Sequence, residues 1–368
     1  MEQGEKSDLN DGPRAAVPAL RIVHLAGGLR AVDLNKDQVE IEAAAGRPFG
    51  AFGTPDYSHL FQVLGRLGFR PIGVDFLTNH ATAEGAPPDW QAYHAGRGFY
   101  AMDAERAWAA VRHVASTEGN SSLEILASKA NTYLRLLPLR LRQLSEAYNH
   151  CLARAVTGRS TVAIGHHFGN EWGEYIDAAV HAFLADAGAF RDVLAEIVWR
   201  IILGKDDDRV TSLAGLLKRT KSERHPLVIS IRTSADGGWL HQLSNLRNHI
   251  VHVAPVKDSQ EHHMCELRGL KVPSGPDAPT LHLSLLQCNG EVRKPLTTYV
   301  YYRDETAIKS SISSYHEYVK TSQDTINVCE DFCVRLVELS MQIKQTGQLQ
   351  EKEIIITSDD IIGPIEIY

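Results

Sequence analysis

The most regular hydrophobic pattern in the chain begins at Asn170. Apolar residues fall at Trp172, Ile176, Ala179, Phe183, Ala187, Phe190, Leu194, Ile197 and Ile201, in steps of three or four. Such spacing keeps one helix face apolar. It predicts an amphipathic helix of about 30 residues, roughly 45 Å long, that starts near Asn170 and stops at Gly204. Tyr57 to Leu67 repeats the period with Leu60, Val63, Leu64 and Leu67. Asp103 to Ser116 reads as a helix N-capped by Asp103. Ser122 to about Val156 is a longer helical pattern, and Pro138 inside it predicts a kink or a division into two helices. Val210 to Lys218 is a short helix, followed by a basic connection to Arg232. Gly237-Gly238 opens a helix whose apolar face is Trp239, Leu243, Leu246 and Ile250, and Pro255 ends it. A last long helix, from about Asp304 to Gln345, carries Ile308, Ile312, Tyr315, Val319, Ile326, Cys329, Phe332, Leu336 and Leu339.

Period-two patterning is sparser. Arg21 to Ala26 and Gly73 to Leu77 are β-like, with a Gly- and Ala-rich stretch at Ala43 to Gly53 between them. Ala81 to Asp89 reads as a loop. From His263 to Arg303 the period shifts toward two. Asn289-Gly290 there is a hairpin-turn signal, and Leu296 to Tyr302 is the partner strand. Glu353 to Thr357 is a short strand in the tail.

These elements predict a polar leader over residues 1–18 and an N-terminal domain over 19–160, either mixed α/β or α-helical. They also predict a helical domain over 165–346 with a β insertion at about 263–303, and a tail over 347–368. Four helices around one core make a bundle, so the expected fold class is mainly α.

Composition narrows the function classes. The 368 residues are 43% hydrophobic, enough for a sizeable core in two or three domains. The formal net charge of -7 excludes a general polyanion binder, so nucleic acid would have to meet a local basic patch. Arg209 to Arg232 is such a patch, with Arg209, Lys218, Arg219, Lys221, Arg224 and Arg232 against Glu223 alone. Arg135, Arg140 and Arg142 form a second, weaker run. None of the five cysteines belongs to a CxxC pair, Met1 to Pro18 lacks an apolar core, and no apolar run is of membrane-spanning length. A reducing cytoplasmic setting without membrane attachment is expected.

The segment Arg247-Asn248-His249-Ile250-Val251-His252 carries the candidate chemistry. Four Arg–His pairs share the spacing Arg-x(4–6)-His: Arg106 with His113, Arg159 with His166, Arg219 with His225, and Arg247 with His252. Only Arg247 sits late in a helix, after one long amphipathic helix and before another, and only it is followed by Asn. In that form and setting the segment resembles the signature of HEPN domains, over about Gly165 to Thr346. The resemblance implies a metal-independent endoribonuclease without cofactor or metal. It also implies a homodimer with the two motifs facing across the interface, a role as a toxin or phage-defence effector, and an antitoxin or sensor protein as partner.

The residue types suit that chemistry. RNA supplies its own nucleophile, the 2′-hydroxyl, so the protein must move protons and stabilise phosphate charge. His252 suits the first task because an imidazole titrates near neutrality. Arg247 suits the second because guanidinium grips phosphate oxygens with paired donors. Asn248 would orient the phosphate or the His252 ring. Glu174 or Asp177 on the preceding helix would be the supporting acid, and Lys218, Arg219, Lys221 and Arg224 would hold RNA. Five residues on a regular helix turn ~500°, which sets Arg247 and His252 about 140° apart. Either the helix ends before His252 or a second chain completes the site.

Two other readings stay open: a non-catalytic RNA- or nucleotide-binding module, and a structural or regulatory dimer. In the latter, Arg247 pairs with Glu174 or Asp177 and His252 caps a helix end. The remaining clusters are weaker. His262-His263-x-Cys265 has metal-ligand residue types without a second pair. Cys329 and Cys333 read as core residues, His166-His167 and Asp206-Asp207-Asp208 as loops. Gly27-Gly28 is not a dinucleotide fingerprint, and there is no P-loop.

Overall fold

The computed structural model describes residues 19–34, 38–54, 56–77, 88–158, 162–205, 207, 209–252, 265–271, 277–284 and 323–350, without the side chains of 19 and 249–252. The leader, most of the 81–89 loop, the Asn289-Gly290 hairpin with its Leu296–Tyr302 strand, and the 353–357 strand lie outside the described residues.

The N-terminal region is a sheet. Strands β1 (Ala19–Leu25), β2 (Arg30–Leu34), β3 (Gln38–Glu42), β4 (Pro48–Gly53), β5 (Pro71–Phe76) and β6 (Asp89–Ala92) pair in the order β4-β3-β2-β1-β5-β6, every pair antiparallel. Helix α1 (Tyr57–Arg66) intervenes, capped by Asp56, which accepts from the His59 amide. The mainly α fold class is therefore overturned: the protein is mixed α/β. The Ala43–Gly53 stretch is a hairpin of this sheet.

Helices α2 (Tyr100–Thr117) and α3 (Ser121–Thr157) follow. Helix α2 begins three residues before Asp103, and no side chain caps its start. Helix α3 is capped by Asn120 and runs through Pro138 as one helix. The Pro138 carbonyl accepts a 2.8 Å bond from Trp90 Nε1, which ties the helix to β6. The sheet docks on α3 through the turn after β1. A β-carbon on Gly28 would lie 2.7 Å from the Tyr148 carbonyl oxygen of α3, and φ there is +84°, so only glycine fits.

Helix α4 (Gly173–Ile197) buries Ile176, Ala179, Phe183, Ala187, Phe190, Leu194 and Ile197, as its spacing predicts. It continues into a π-helical turn, Val198–Ile202. Helices α5 (Leu213–Arg219), α6 (Pro226–Ala235), α7 (Trp239–His252) and α8 (Thr325–Thr346) complete the helical part. Helix α6 occupies part of the expected basic connection, with Pro226 at its start and Leu227, Val228 and Ile231 buried. A second sheet, β7 (His167–Phe168), β8 (Cys265–Leu270) and β9 (Ala278–His282), is antiparallel in the order β7-β8-β9. His167, expected in a loop, is thus in a short strand.

Buried apolar residues from the first sheet, α3, α4, α7 and α8 form one cluster. Helix α3 packs on both the sheet and α4, and so joins the two halves of the chain. Cys329 and Cys333 lie in this core. Among the described residues no helix is long and apolar enough to cross a membrane.

Candidate functional site

Helix α7 lies antiparallel along α4. Arg191 Nη1 on α4 donates to Ser244 Oγ on α7 at 2.8 Å. Three residues further along α7, and three residues back along α4, Arg247 crosses Gly188. A β-carbon at Gly188 would sit 3.3 Å from Arg247 Cγ and 3.4 Å from Nε. The absent side chain is what lets the Arg247 stem lie against the α4 backbone. Arg247 Nη1 reaches Asn248 Oδ1 at 3.3 Å. Its Nε is buried with no hydrogen-bond partner among the described residues.

The expected supporting acids do not meet Arg247. Gly188 is eleven residues beyond Asp177, roughly 16 Å along α4, and Glu174 is a further ~5 Å away. Asp177 is 8% exposed and Glu174 is exposed. Continuing the α7 register sets position 252 opposite position 183, which brings the end of α7 closer to Asp177 than Arg247 is. Helix α7 remains helical through His252. An early helix end is therefore ruled out as the way to aim Arg247 and His252 at one phosphate.

The basic connection is the end of α5, carrying Lys218 and Arg219, followed by a pinned turn over 220–225 that leads into α6. Arg232 donates to the carbonyls of Thr220 at 2.8 Å, Lys221 at 2.5 Å and Glu223 at 3.0 Å. Arg232 is thus a positioning residue, and the cations left outward are Lys218, Arg219, Lys221 and Arg224, all exposed. None of these four is in an ion pair among the described residues. Asp192 fastens the other end of α5: its Oδ1 accepts from the Leu213 amide at 2.9 Å and from Arg191 Nη2 at 2.9 Å. The patch and Arg247 therefore share one support, the Arg191–Asp192 corner of α4. Arg209 pairs with Asp207, and Trp199 Nε1 also donates to Asp207. The latter bond is the main cause that holds this carboxyl below its usual range.

Arg140 and Arg142 are engaged elsewhere. Arg140 Nε pairs with Asp186 at 2.7 Å. Arg142 Nε pairs with Asp75 at 2.8 Å inside a network that sequence spacing does not reveal. His24 Nε2 meets Asp75 Oδ2 at 3.1 Å, and His24 Nδ1 meets Ser145 Oγ at 3.2 Å. These are the residue types of a hydrolase triad, but Ser145 and His24 are each 1% exposed and Asp75 5%. With no substrate access, the network is a polar tie between β1, β5 and α3. Burial outweighs the Asp75 contact and keeps the His24 imidazole below its ordinary value.

Cys265 packs against Cys151, the sulfurs 4.0 Å apart in the interior. His262 and His263 lie outside the described residues. On the face of α7 away from Arg247, His241, Gln242, Asn245 and Leu246 line a cavity of about 1250 Å³. The motif residue is not part of its wall. No family model, no curated protein and no solved structure matches the chain.

Proposed function

We propose that the protein is a metal-independent endoribonuclease of the HEPN type. Arg247 and Asn248 would bind the scissile phosphate and His252 would transfer the proton, in a site shared between two chains. The observation that carries this reading is the state of Arg247. It is a partly buried guanidinium, laid over Gly188, whose only hydrogen bond among the described residues goes to the neutral amide of Asn248. An arginine kept for structure ordinarily has its buried donors matched, as Arg232 has by three carbonyls, whereas the buried Arg247 Nε has no match among the described residues. One held without such a match is suited to an incoming phosphate.

The uninterrupted helix to His252 supports the dimer. About 140° of helical rotation separates the two motif residues, so a two-fold axis beside α7 would bring Arg247 of one protomer toward His252 of the other. Lys218, Arg219, Lys221 and Arg224 would track the RNA backbone by replacing its counterions. A cytoplasmic location, a toxin or defence role, and an antitoxin or sensor partner belong to the same proposal.

The test is RNA cleavage by purified protein in EDTA, with Arg247→Ala and His252→Ala as comparisons. The proposal expects cleavage by the wild type and at least ~100-fold loss in either variant. Equal cleavage by all three proteins would remove these residues from the reaction. Binding without cleavage, dependent on the four exposed cations, favours the RNA-binding reading.

A further inference from the structure

The cavity on the opposite face of α7 has no part in the proposed RNA chemistry. Its volume, about 1250 Å³, exceeds the ~300–1,000 Å³ usual for small-molecule sites. The turn after β1, the end of α1, the second sheet and the starts of α7 and α8 all contribute walls.

Two long helices begin at this cavity. Helix α7 opens from Gly237-Gly238, so no side chain precedes it to cap its first amides. Gly238 is close to obligatory, since a β-carbon there would lie 2.7 Å from the Ser234 carbonyl oxygen. Helix α8 opens at Asp324, whose side chain makes no capping bond. The Thr325 amide at the start of α8 donates to the Leu283 carbonyl at 2.9 Å, so the glycine-preceded start of α7 is the helix end that offers its dipole to an anion in this space.

Three arginines line the same space, each held from behind. Arg70 pairs with the buried Glu330 at 2.5 Å. Arg268 Nε pairs with Glu266 at 2.7 Å. Arg335 Nε pairs with Asp331 at 2.6 Å, and its terminal nitrogens have no partner among the described residues. Arg70 is held through Nη2, whereas anchoring at Nε pre-organises the fork of donors that Arg335 can offer to phosphate.

The cavity also holds neutral groups suited to the rest of a ligand. Gln242, Asn245 and Asn327 offer amides, and Trp239 offers an aromatic surface. Asn327 Oδ1 is a buried acceptor with no hydrogen-bond partner among the described residues. Asp324 Oδ1 accepts from Tyr148 Oη at 2.8 Å and from the Leu283 amide at 3.2 Å. Burial pushes its carboxyl up to about 6. Burial, with Arg268 nearby, lowers the His282 imidazole to about 4. Perturbed groups gathered in one cavity are a mark of a ligand site.

We propose that this cavity binds a phosphorylated small molecule of nucleotide size, its phosphate at Arg335 and the start of α7, its ring among Trp239 and the three amides. The test is equilibrium dialysis of the full chain with ATP, AMP, adenosine and inorganic phosphate. ATP or AMP is expected to saturate the protein, with adenosine and inorganic phosphate each about tenfold weaker or more. Arg335→Ala and Gln242→Ala change residues at the rim, and both should weaken the nucleotide about tenfold without lowering the melting temperature. The inference is overturned if no probe binds saturably, if inorganic phosphate binds as tightly as ATP, or if both variants bind like the wild type. No RNA enters the assay, so its outcome is independent of the ribonuclease proposal.

Discussion

Arg247 lies across Gly188, with a gap so narrow that an added β-carbon would stand 3.3 Å from its Cγ. Glycine inside a helix costs ~1 kcal/mol relative to alanine, and here the missing side chain is matched to the arginine stem. Gly188→Ala should therefore leave the melting temperature unchanged or raised, because helix propensity offsets a shift of a few tenths of an ångström. RNA cleavage should fall several-fold as the guanidinium moves. Gly188→Leu should abolish cleavage while circular dichroism shows the helices intact. Full activity in Gly188→Leu would separate Arg247's position from function.

The exposed cations and their support should behave differently. Changing Lys218, Arg219, Lys221 and Arg224 together to Ala removes at most four phosphate contacts. The slope of log affinity against log salt should then flatten by up to ~2.8 for single-stranded RNA, at ~0.7 per contact. Arg232→Ala keeps all four charges but frees three loop carbonyls. It should weaken RNA binding and cost ~1–3 kcal/mol of stability. Unchanged salt dependence in the quadruple variant would take the loop out of the RNA path.

The Ser145–His24–Asp75–Arg142 network should answer to stability and not to catalysis. Asp75→Ala removes the shared partner of His24 and Arg142, leaving His24 with Ser145 and Arg142 with Glu146 at 3.0 Å, and is expected to cost about 3 kcal/mol in urea unfolding. Ser145→Ala loses one hydrogen bond and should cost ~1 kcal/mol, with RNA cleavage unaffected. Loss of cleavage in a folded Ser145→Ala would give this network a catalytic role.

What could be read from the chain follows from how many residues carry each signal. Helix α4 was legible because nine apolar positions hold one period. Cys329 and Cys333, one turn apart, were legible as core for the same reason. The strands β2 to β4 were not: Arg30–Leu34 offers only Ala31 and Asp33 to the interior, and β4 is a largely exposed edge. Too few alternations remain to outweigh the glycines and alanines, so the region read as irregular and the protein as mainly α. Helix α6 was hidden because Arg224 and Arg232 drew attention to charge, although Leu227, Val228 and Ile231 already carried the spacing. Arg247 could be singled out by context, but its contact with Gly188 joins residues far apart in sequence. The same holds for Tyr148 and Asp324, 176 residues apart.

Asp324 predicts a distinctive pH dependence. Its unfolded carboxyl ionises near ~3.9, its folded one near about 6. Between those values the folded state holds a proton that the unfolded state releases, so this group lowers stability as pH rises from 4 to 6 and adds no further change above. Asp324→Asn keeps an acceptor for Tyr148 and Leu283 without the titration. The stability of Asp324→Asn relative to wild type should rise across pH 4 to 6. His24 and His282, whose lowered values act in the opposite sense, are common to both proteins and cancel in the difference. A difference that is flat with pH would contradict the assignment.

The claim that Arg247 and His252 act from different chains has one direct measurement. Arg247→Ala and His252→Ala are each expected to be inactive. Mixed in equal amounts, unfolded together and refolded, half the dimers are mixed, and each holds one intact site of two. In a two-fold dimer RNA cleavage in EDTA should then return to about a quarter of the wild-type level. Cleavage that stays at the level of the separate variants, with mixed dimers shown to be present, would contradict the shared site.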